Sequence, residues 1–431
     1  MNILKEGETM GKYISRIADT LLERALKSSG AVLIEGPKWC GKTSTARQLS
    51  NSYIYMQDPD QRLKYLKISD NKPSLLLQGE TPRLIDEWQT APVLWDSVRH
   101  EVDMRGEMGQ FILTGSSVPI LDEKISHTGT GRISRIRMRT MSLFESGESN
   151  GEISLNELFS TKKNIEGFGD LSIEELAGCI VRGGWPSSVA TKLGMYEKRV
   201  QDYLDAVVNI DISRVDGIEK NPQKVAVLMK SLARNVSTEA SMETLRRDML
   251  GSEKDTISMP TLISYLNALQ RIFVTEDLEA WNPSIRSKTP LRSAPKRHFI
   301  DPSIACAAMG INGEKLLNDF NTFGYLFESL CIRDLRIYSD YLDAKVYHYR
   351  DKTNLECDAI IVLRDGSWGA IEIKMGAKEF DVASENLLKL KERINTDKMS
   401  NPSFLMILSA TDIGYTRKDG IHVVPIGCLK W

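Results

Sequence analysis

Apolar residues follow three patterns along this chain. Over 13–27 they recur at helical spacing (Ile14, Ile17, Leu21, Leu22, Leu26), and Ser28, Ser29 and Gly30 stop the run. Short uninterrupted runs come next, over 31–34, 53–56 and 111–113, and each reads as a buried strand. Over 148–169 apolar residues are sparse among Gly, Ser, Asn and Lys, which predicts an exposed insertion or linker. Helical spacing returns over 174–189, 196–210, 222–235, 239–250 and 258–269, and residues 272–276 and 278–281 then alternate as a short hairpin would. Finally a helix over 320–334 precedes strands over 344–349, 355–362, 368–374, 404–408 and 422–426. The fold class is α/β, with strand-rich ends and a helical middle.

Composition narrows the function classes. At 431 residues the chain has room for roughly two to four domains. Charged residues (26%) and hydrophobic ones (41%) are those of an ordinary globular protein. A net charge of −2 gives no global sign of a nucleic-acid binder, so any such surface is a local patch. No apolar run approaches a membrane span, and residues 1–10 lack a signal-peptide core, so a cytoplasmic location is expected. The six cysteines form no C-x-x-C pair and the five histidines are scattered, so reduced thiols and no zinc site are expected.

Gly36, Pro37, Lys38, Trp39, Cys40, Gly41, Lys42 and Thr43 match G-x-x-x-x-G-K-[ST] at every fixed position. The glycines let backbone N–H groups curl around a phosphate chain without Cβ clashes. Lys42 then reaches the β- and γ-phosphates and the Thr43 hydroxyl ligates Mg²⁺. The strand before the loop, and the helix formers that begin at Ser44, give the loop a helix N-terminus facing the phosphates. ATP and Mg²⁺ are the expected ligands.

Roughly 45 residues on, Leu84 and Ile85 lead into Asp86 and Glu87. Asp86 is expected to hold Mg²⁺ through water and Glu87 to polarise the attacking water. The run over 111–117 has a polar tip, where Thr114 and Ser116 are candidates to sense a γ-phosphate; a turn that merely leaves the sheet is the other reading. Arg135, Arg137 and Arg139 alternate with apolar and small residues, so on a strand they share one face and need an anion nearby. Arg132 is the candidate arginine finger, acting in trans across a homo-oligomer interface. A solvated edge strand is the alternative.

In this order, residues 36–43, 84–89, 113–117, Gly131 with Arg132, and Gly183, Gly184, Trp185 and Pro186 resemble the bacterial and archaeal AAA-type ATPases that carry a C-terminal domain of unknown function. The resemblance covers nearly the whole chain, with Trp88 a departure from the usual aliphatic residue. It implies ATP hydrolysis, a helical lid over the segments after residue 174, and a linking segment at Asp211 to which no chemistry is assigned. It also implies a Lys/Arg-x-x-Phe/Ile-Asp type of segment, matched by Lys296 to Asp301.

Three helices and a hairpin over 222–281 follow the winged-helix plan, whose third helix reads DNA. Here that helix carries no Lys or Arg before Arg271, which suits phosphates poorly. Arg286, Lys288, Arg292, Lys296 and Arg297 form a basic stretch that either tracks a phosphate backbone or is a solvated connector.

In the tail, Asp358 starts one strand, while Glu372 and Lys374 share a face of the next. This D…E-x-K arrangement is that of the PD-(D/E)xK nuclease fold. Carboxylates hold Mg²⁺ beside the scissile phosphate and the lysine activates water and offsets charge. Glu328, at mid-helix, matches a further metal or orienting carboxylate. Glu328, Asp358 and Glu372 are thus expected metal ligands, and Lys374 a catalytic group. A salt-bridged Glu-x-Lys on a half-buried strand is the competing reading, and the fold also serves as a docking module.

The expected organisation is an AAA-like P-loop ATPase core (1–147), a linker and helical lid (148–215), a winged-helix-like module (216–298) and a restriction-endonuclease-like α/β domain (299–431). The expected function is ATP hydrolysis coupled to DNA or RNA binding or processing. The alternative is an ATP-driven protein-interaction switch with a catalytically inactive tail.

Overall fold

Continuous apolar runs bury on both faces, which suits a parallel sheet between helices. The computed structural model describes residues 13–117, 129–161, 163–191, 196–215, 217–249, 257–283, 294–394 and 399–431. Among these, β1 (Ala31–Glu35), β2 (Ser52–Tyr55), β3 (Arg83–Asp86), β4 (Phe111–Gly115) and β5 (Ile133–Arg137) form a sheet in the order β2-β3-β4-β1-β5. Every neighbouring pair is parallel. Period-two alternation divides the core in two. Val32 and Ile34 pack with Leu22 and Ala46 on one side, and Ala31 and Leu33 pack with Trp95 and Val98 on the other. Because the strands are parallel, the C-terminal ends of β1, β3 and β4 lie together at one edge of the sheet, and that edge carries the chemistry.

The arginine-rich strand does find anions, and the chain supplies them. Arg135 and Arg137 both pair with Glu35 on β1, at 3.3 and 3.5 Å. Arg139 lies past the strand end and is buried, paired with Glu276 at 2.7 Å and Asp340 at 2.5 Å.

The expected linker over 148–169 is a correction. β6 (Ile153–Ser154) pairs in parallel with the last strand of the chain, and β7 (Glu166–Phe168) forms one edge of the tail sheet. Ile153, Leu155 and Leu158 are buried, so a few apolar residues suffice to anchor the segment. The tail strands are β8 (Lys345–Arg350), β9 (Glu356–Val362), β10 (Trp368–Lys374), β11 (Phe404–Ser409), β12 (Ile413–Thr416), β13 (His422–Pro425) and β14 (Leu429–Lys430). The mixed sheet runs β7-β12-β13-β11-β10-β9-β8, and β14 takes β6 as its partner. The long helix Phe320–Tyr341 shares the core beneath this sheet.

The helix expected over 174–189 breaks into Ile173–Arg182 and Pro186–Val189. The helix ends at Gly183 (φ 70°, ψ −179°), and the close packing there admits only glycine: a Cβ on Gly184 would overlap the Met141 backbone, and one on Gly183 would overlap Asp301 and Ser303. The next helix, Tyr196–Ala206, widens into a π-helical turn over Val207–Asp211 before Ile212–Arg214. Helices Pro222–Arg234, Met242–Asp248 and Met259–Arg271 follow as expected, but the hairpin does not. Thr275 bridges Phe299 and Leu278 bridges Lys296, both antiparallel, so the second arm of the ribbon begins at the end of the basic stretch. The pairing is set by burial of Val274, Leu278 and Phe299. Lys296 and Arg297 are buried and cannot track a backbone in solvent, while Arg286, Lys288 and Arg292 lie outside the described residues. Among the described residues no helix is long and apolar enough to cross a membrane, and all six cysteines are free and buried.

Candidate nucleotide site and a buried charged cluster

The loop between β1 and the helix Lys42–Leu49 is shaped by its glycines. Gly41 has φ 101°, which an L side chain rarely adopts, and a Cβ on Gly36 would overlap the Met138 carbonyl. The loop therefore delivers Lys42 and Thr43 to the first turn of the helix, where free N–H groups and the helix dipole favour an anion. Lys42 Nζ donates to the carbonyls of Gly36 and Pro37 at 3.0 and 2.7 Å. Pro37 and Gly41 shape the backbone, Ser44 lines the cleft, and Cys40 turns its thiol away from the cleft toward the Met138 carbonyl.

The Asp86 carboxylate accepts from the Thr43 and Thr114 hydroxyls, each at 2.7 Å. Thr114 also accepts the Glu87 N–H at 3.0 Å, which holds Glu87 in a left-handed conformation (φ 54°). The Glu87 carboxylate takes hydrogen bonds from Ser116, at 2.9 Å, and from Gln89. The structure thus brings residues that follow β1, β3 and β4 to one cleft of about 800 Å³, completed by Pro186, Ser187 and Arg199 from the helical segment. Trp39, 53% exposed, lines this cleft and lies 5.7 Å from the Tyr203 ring.

Arg132 is elsewhere. It precedes β5, at the end of the sheet away from the loop, and pairs with Asp103 at 2.8 Å. Sequence reasoning missed Arg16, whose buried guanidinium donates to Cys40 O, Arg139 O and Glu145, fixing the floor of the loop. It gave no role to Asp211, which pairs with Lys38 at 2.6 Å, nor to Gln89 and Arg199. Nothing local marks Arg16, whereas Gln89 sits inside the motif already read.

Asp301 joins the parts of the molecule. Fully buried, it accepts from Thr140 at 2.6 Å, Gly184 N at 3.0 Å and Arg333 at 3.1 Å. Arg333 also pairs with Asp334, which accepts the Leu143 N–H at 2.9 Å.

The tail residues also meet. Lys374 Nζ lies 2.7 Å from Glu372 and 3.2 Å from Asp358, and Ile373 N donates to Asp358 at 2.9 Å. Lys296, read from the sequence as part of a basic loop, is buried between Glu328 at 2.7 Å and Asp358 at 3.2 Å. Burial pushes Glu328 up to about 7 against the pull of Lys296. Burial and then Asp358 raise Glu372, whereas Lys296 and Lys374 outweigh burial and hold Asp358 below the usual carboxylate range. Two ammonium groups thus neutralise most of the charge of three carboxylates, and among the described residues no group of three His, Cys, Asp or Glu is arranged to hold a metal ion. Glu328, Asp358 and Lys374 nonetheless line a pocket of about 400 Å³.

Comparison with known families finds three matches along the chain. The AAA domain family matches residues 28–146, a domain of unknown function (DUF8612) matches 173–315, and another (DUF4143) matches 323–429. The uncharacterized proteins Rv2008c of Mycobacterium tuberculosis and Mb2031c of Mycobacterium bovis are each 23% identical over 362 residues, 83% of this chain and 73% of theirs. Among solved structures, the Walker-type ATPase PABY2304 of Pyrococcus abyssi is 16% identical, with a TM-score of 0.44 over 69% of this chain and 97% of its own. AMPPCP-bound DnaA from Aquifex aeolicus is 16% identical, with a TM-score of 0.29 over 59% and 87%. With Lys42, Thr43, Asp86 and Glu87 gathered at the end of a parallel sheet, the chain carries an AAA-like P-loop ATPase domain joined to a C-terminal DUF4143 domain.

Proposed function

We propose that this chain hydrolyses ATP in the cleft at the end of β1, β3 and β4 and transmits turnover to its tail as a switch. The observation that carries the proposal is the convergence of Thr43 and Thr114 on Asp86, with Glu87 poised beside Ser116. One carboxylate, one hydroxyl and substrate phosphates are the donor set that Mg²⁺ prefers, so Thr43 and Asp86 fit it. When bound, Mg²⁺ offsets charge on the β- and γ-phosphates. Lys42 binds those phosphates, and Glu87 accepts a proton from the attacking water, oriented by Ser116 and Gln89. Arg132 has no role within its own cleft, and its proposed place of action is a neighbouring subunit. Transmission is supported by Arg16, which bonds the loop at Cys40 O and the Arg139 carbonyl, and by Asp301, which accepts from the adjoining Thr140 and from Arg333 of the tail helix.

The test compares Lys42→Ala and Glu87→Gln with the parent by nucleotide binding and phosphate release. Lys42→Ala should lose binding, and Glu87→Gln should bind ATP but turn it over at least about a hundredfold more slowly. Full turnover in Glu87→Gln would refute the assignment. Mass in solution with and without ATP tests the trans role of Arg132, and a strict monomer under both conditions removes it.

A second reading, metal-dependent cleavage of DNA or RNA by the tail, is favoured by the opening of Glu328, Asp358 and Lys374 onto a shared pocket. It requires Lys296 to yield its place. Cleavage of either polymer with Mg²⁺ or Mn²⁺ that vanishes in Lys374→Ala would establish it. No cleavage on any substrate leaves the tail as the docking end of the switch.

A further inference from the structure

Lys38 stands in the phosphate loop, at a position the motif leaves free. Its side chain is half-exposed, and its ammonium lies 2.6 Å from Asp211 of the lid, whose carboxylate is buried. A buried carboxylate left without its cation is costly, so Asp211 keeps Lys38 in one place. The same lid helix carries Tyr203, which packs 5.7 Å from Trp39 and 4.6 Å from Trp185. Lid and loop therefore meet through two successive loop residues. Asp211 ends the π-helical turn over Val207–Asp211. One inserted residue rotates the rest of the helix by about 100° around its axis, and such turns recur at functional sites. Here the turn brings Asp211 and Arg214 to a pocket of about 160 Å³ shared with Lys38, Glu87, Gln89 and Ser116.

We propose that Lys38 is a second phosphate-binding lysine, facing the terminal phosphate of a nucleoside triphosphate, and that Asp211 is its positioning residue. This rests on the ATPase reading above. Lys42 is bound at the helix N-terminus, whereas Lys38 sits on the Glu87 side of the loop, where the terminal phosphate reacts. The ammonium has two competing anions, the lid carboxylate and the terminal phosphate. A triphosphate shares Lys38 with Asp211, and a diphosphate leaves it to Asp211, so the lid contact registers the nucleotide state.

Equilibrium binding of fluorescent ATP and ADP analogues, read beside kcat and KM, tests this. Asp211→Asn keeps the shape and removes the charge. With one anion fewer near the phosphates, KM should hold or fall, while kcat falls about tenfold because Lys38 is no longer held. Lys38→Met should lower the preference for ATP over ADP about tenfold, and the double variant should be no slower than Lys38→Met alone. Parent-like kcat in Asp211→Asn, or additive losses in the double variant, would overturn the inference. If either single variant misfolds, the double variant decides, since it leaves no buried charge unpaired, and an ATP-to-ADP preference unchanged from the parent is then fatal. A parent that binds neither nucleotide overturns the ATPase reading itself, and the parent's own binding curve separates that failure from this one.

Discussion

Asp301→Ala removes an acceptor shared by three parts of the chain: Thr140 after the first sheet, Gly184 after the helix Ile173–Arg182 and Arg333 on the tail helix. Breaking a buried ion pair from one side costs about 3–5 kcal/mol. Asp334 remains 2.7 Å from Arg333, so the low end applies. The orphaned Thr140 hydroxyl and Gly184 N–H add at least about 1 kcal/mol each. The total is about 5 kcal/mol. Unfolding entropy near about 2.1 cal/mol/K per residue, taken over the 431 residues, is roughly 0.9 kcal/mol/K, so the expected fall in Tm is about 5 °C. A smaller cooperative unit would enlarge the fall. The assay is differential scanning calorimetry at one fixed scan rate, with Asp301→Asn as the companion that keeps shape and one acceptor oxygen. Asp301→Asn should lose about half as much. A fall below about 1 °C in Asp301→Ala would refute the claim that this carboxylate ties the domains together.

Gly184→Ala drives a Cβ into the Met141 backbone, and neither side can yield as a flexible side chain would. It should lower the soluble yield and Tm more than Gly178→Ala, where a Cβ meets nothing within 4 Å, and equal melting curves would contradict it. Glu328 is raised to about 7 in the folded protein, above the unfolded value of about 4.3, so the folded state holds its proton more tightly. Stability from this group is present below about pH 4.3 and is lost as pH rises through about 7. Glu328→Gln should flatten the urea midpoint between pH 4.5 and 7.5, roughly the window between those two values, and an unchanged slope would argue against the burial of that charge.

The geometry of the candidate nucleotide site was largely legible because its signals are local. A strand, a glycine loop and a helix start lie within a few residues, and the loop's φ values depend on Gly36 and Gly41 themselves. The acidic pair and the polar tip of β4 were readable for the same reason, since each sits at a strand end. Lys374 and Glu372 were readable as neighbours on one strand face. The hairpin and the linker misled because their partners are distant. Residues 275–278 chose 296–299 over their sequence neighbours, and β7 chose β12. A sparse apolar pattern does not reveal that Ile153 and Leu158 will be buried, Ile153 in register with Leu429.

By itself, then, the amino-acid order determined what short-range sterics and periodicity can carry: the phosphate loop, the strand ends that hold Asp86 and Glu87, and the Glu-x-Lys face of the tail. Tertiary structure alone decided where the counter-charges fall. Lys296 lies 32 residues from Glu328 and 62 from Asp358, Asp211 lies 173 from Lys38, and Asp301 lies 161 from Thr140. A charge is attractive to any opposite charge in the chain, and only burial, which penalises every wrong pairing, selects the one that forms.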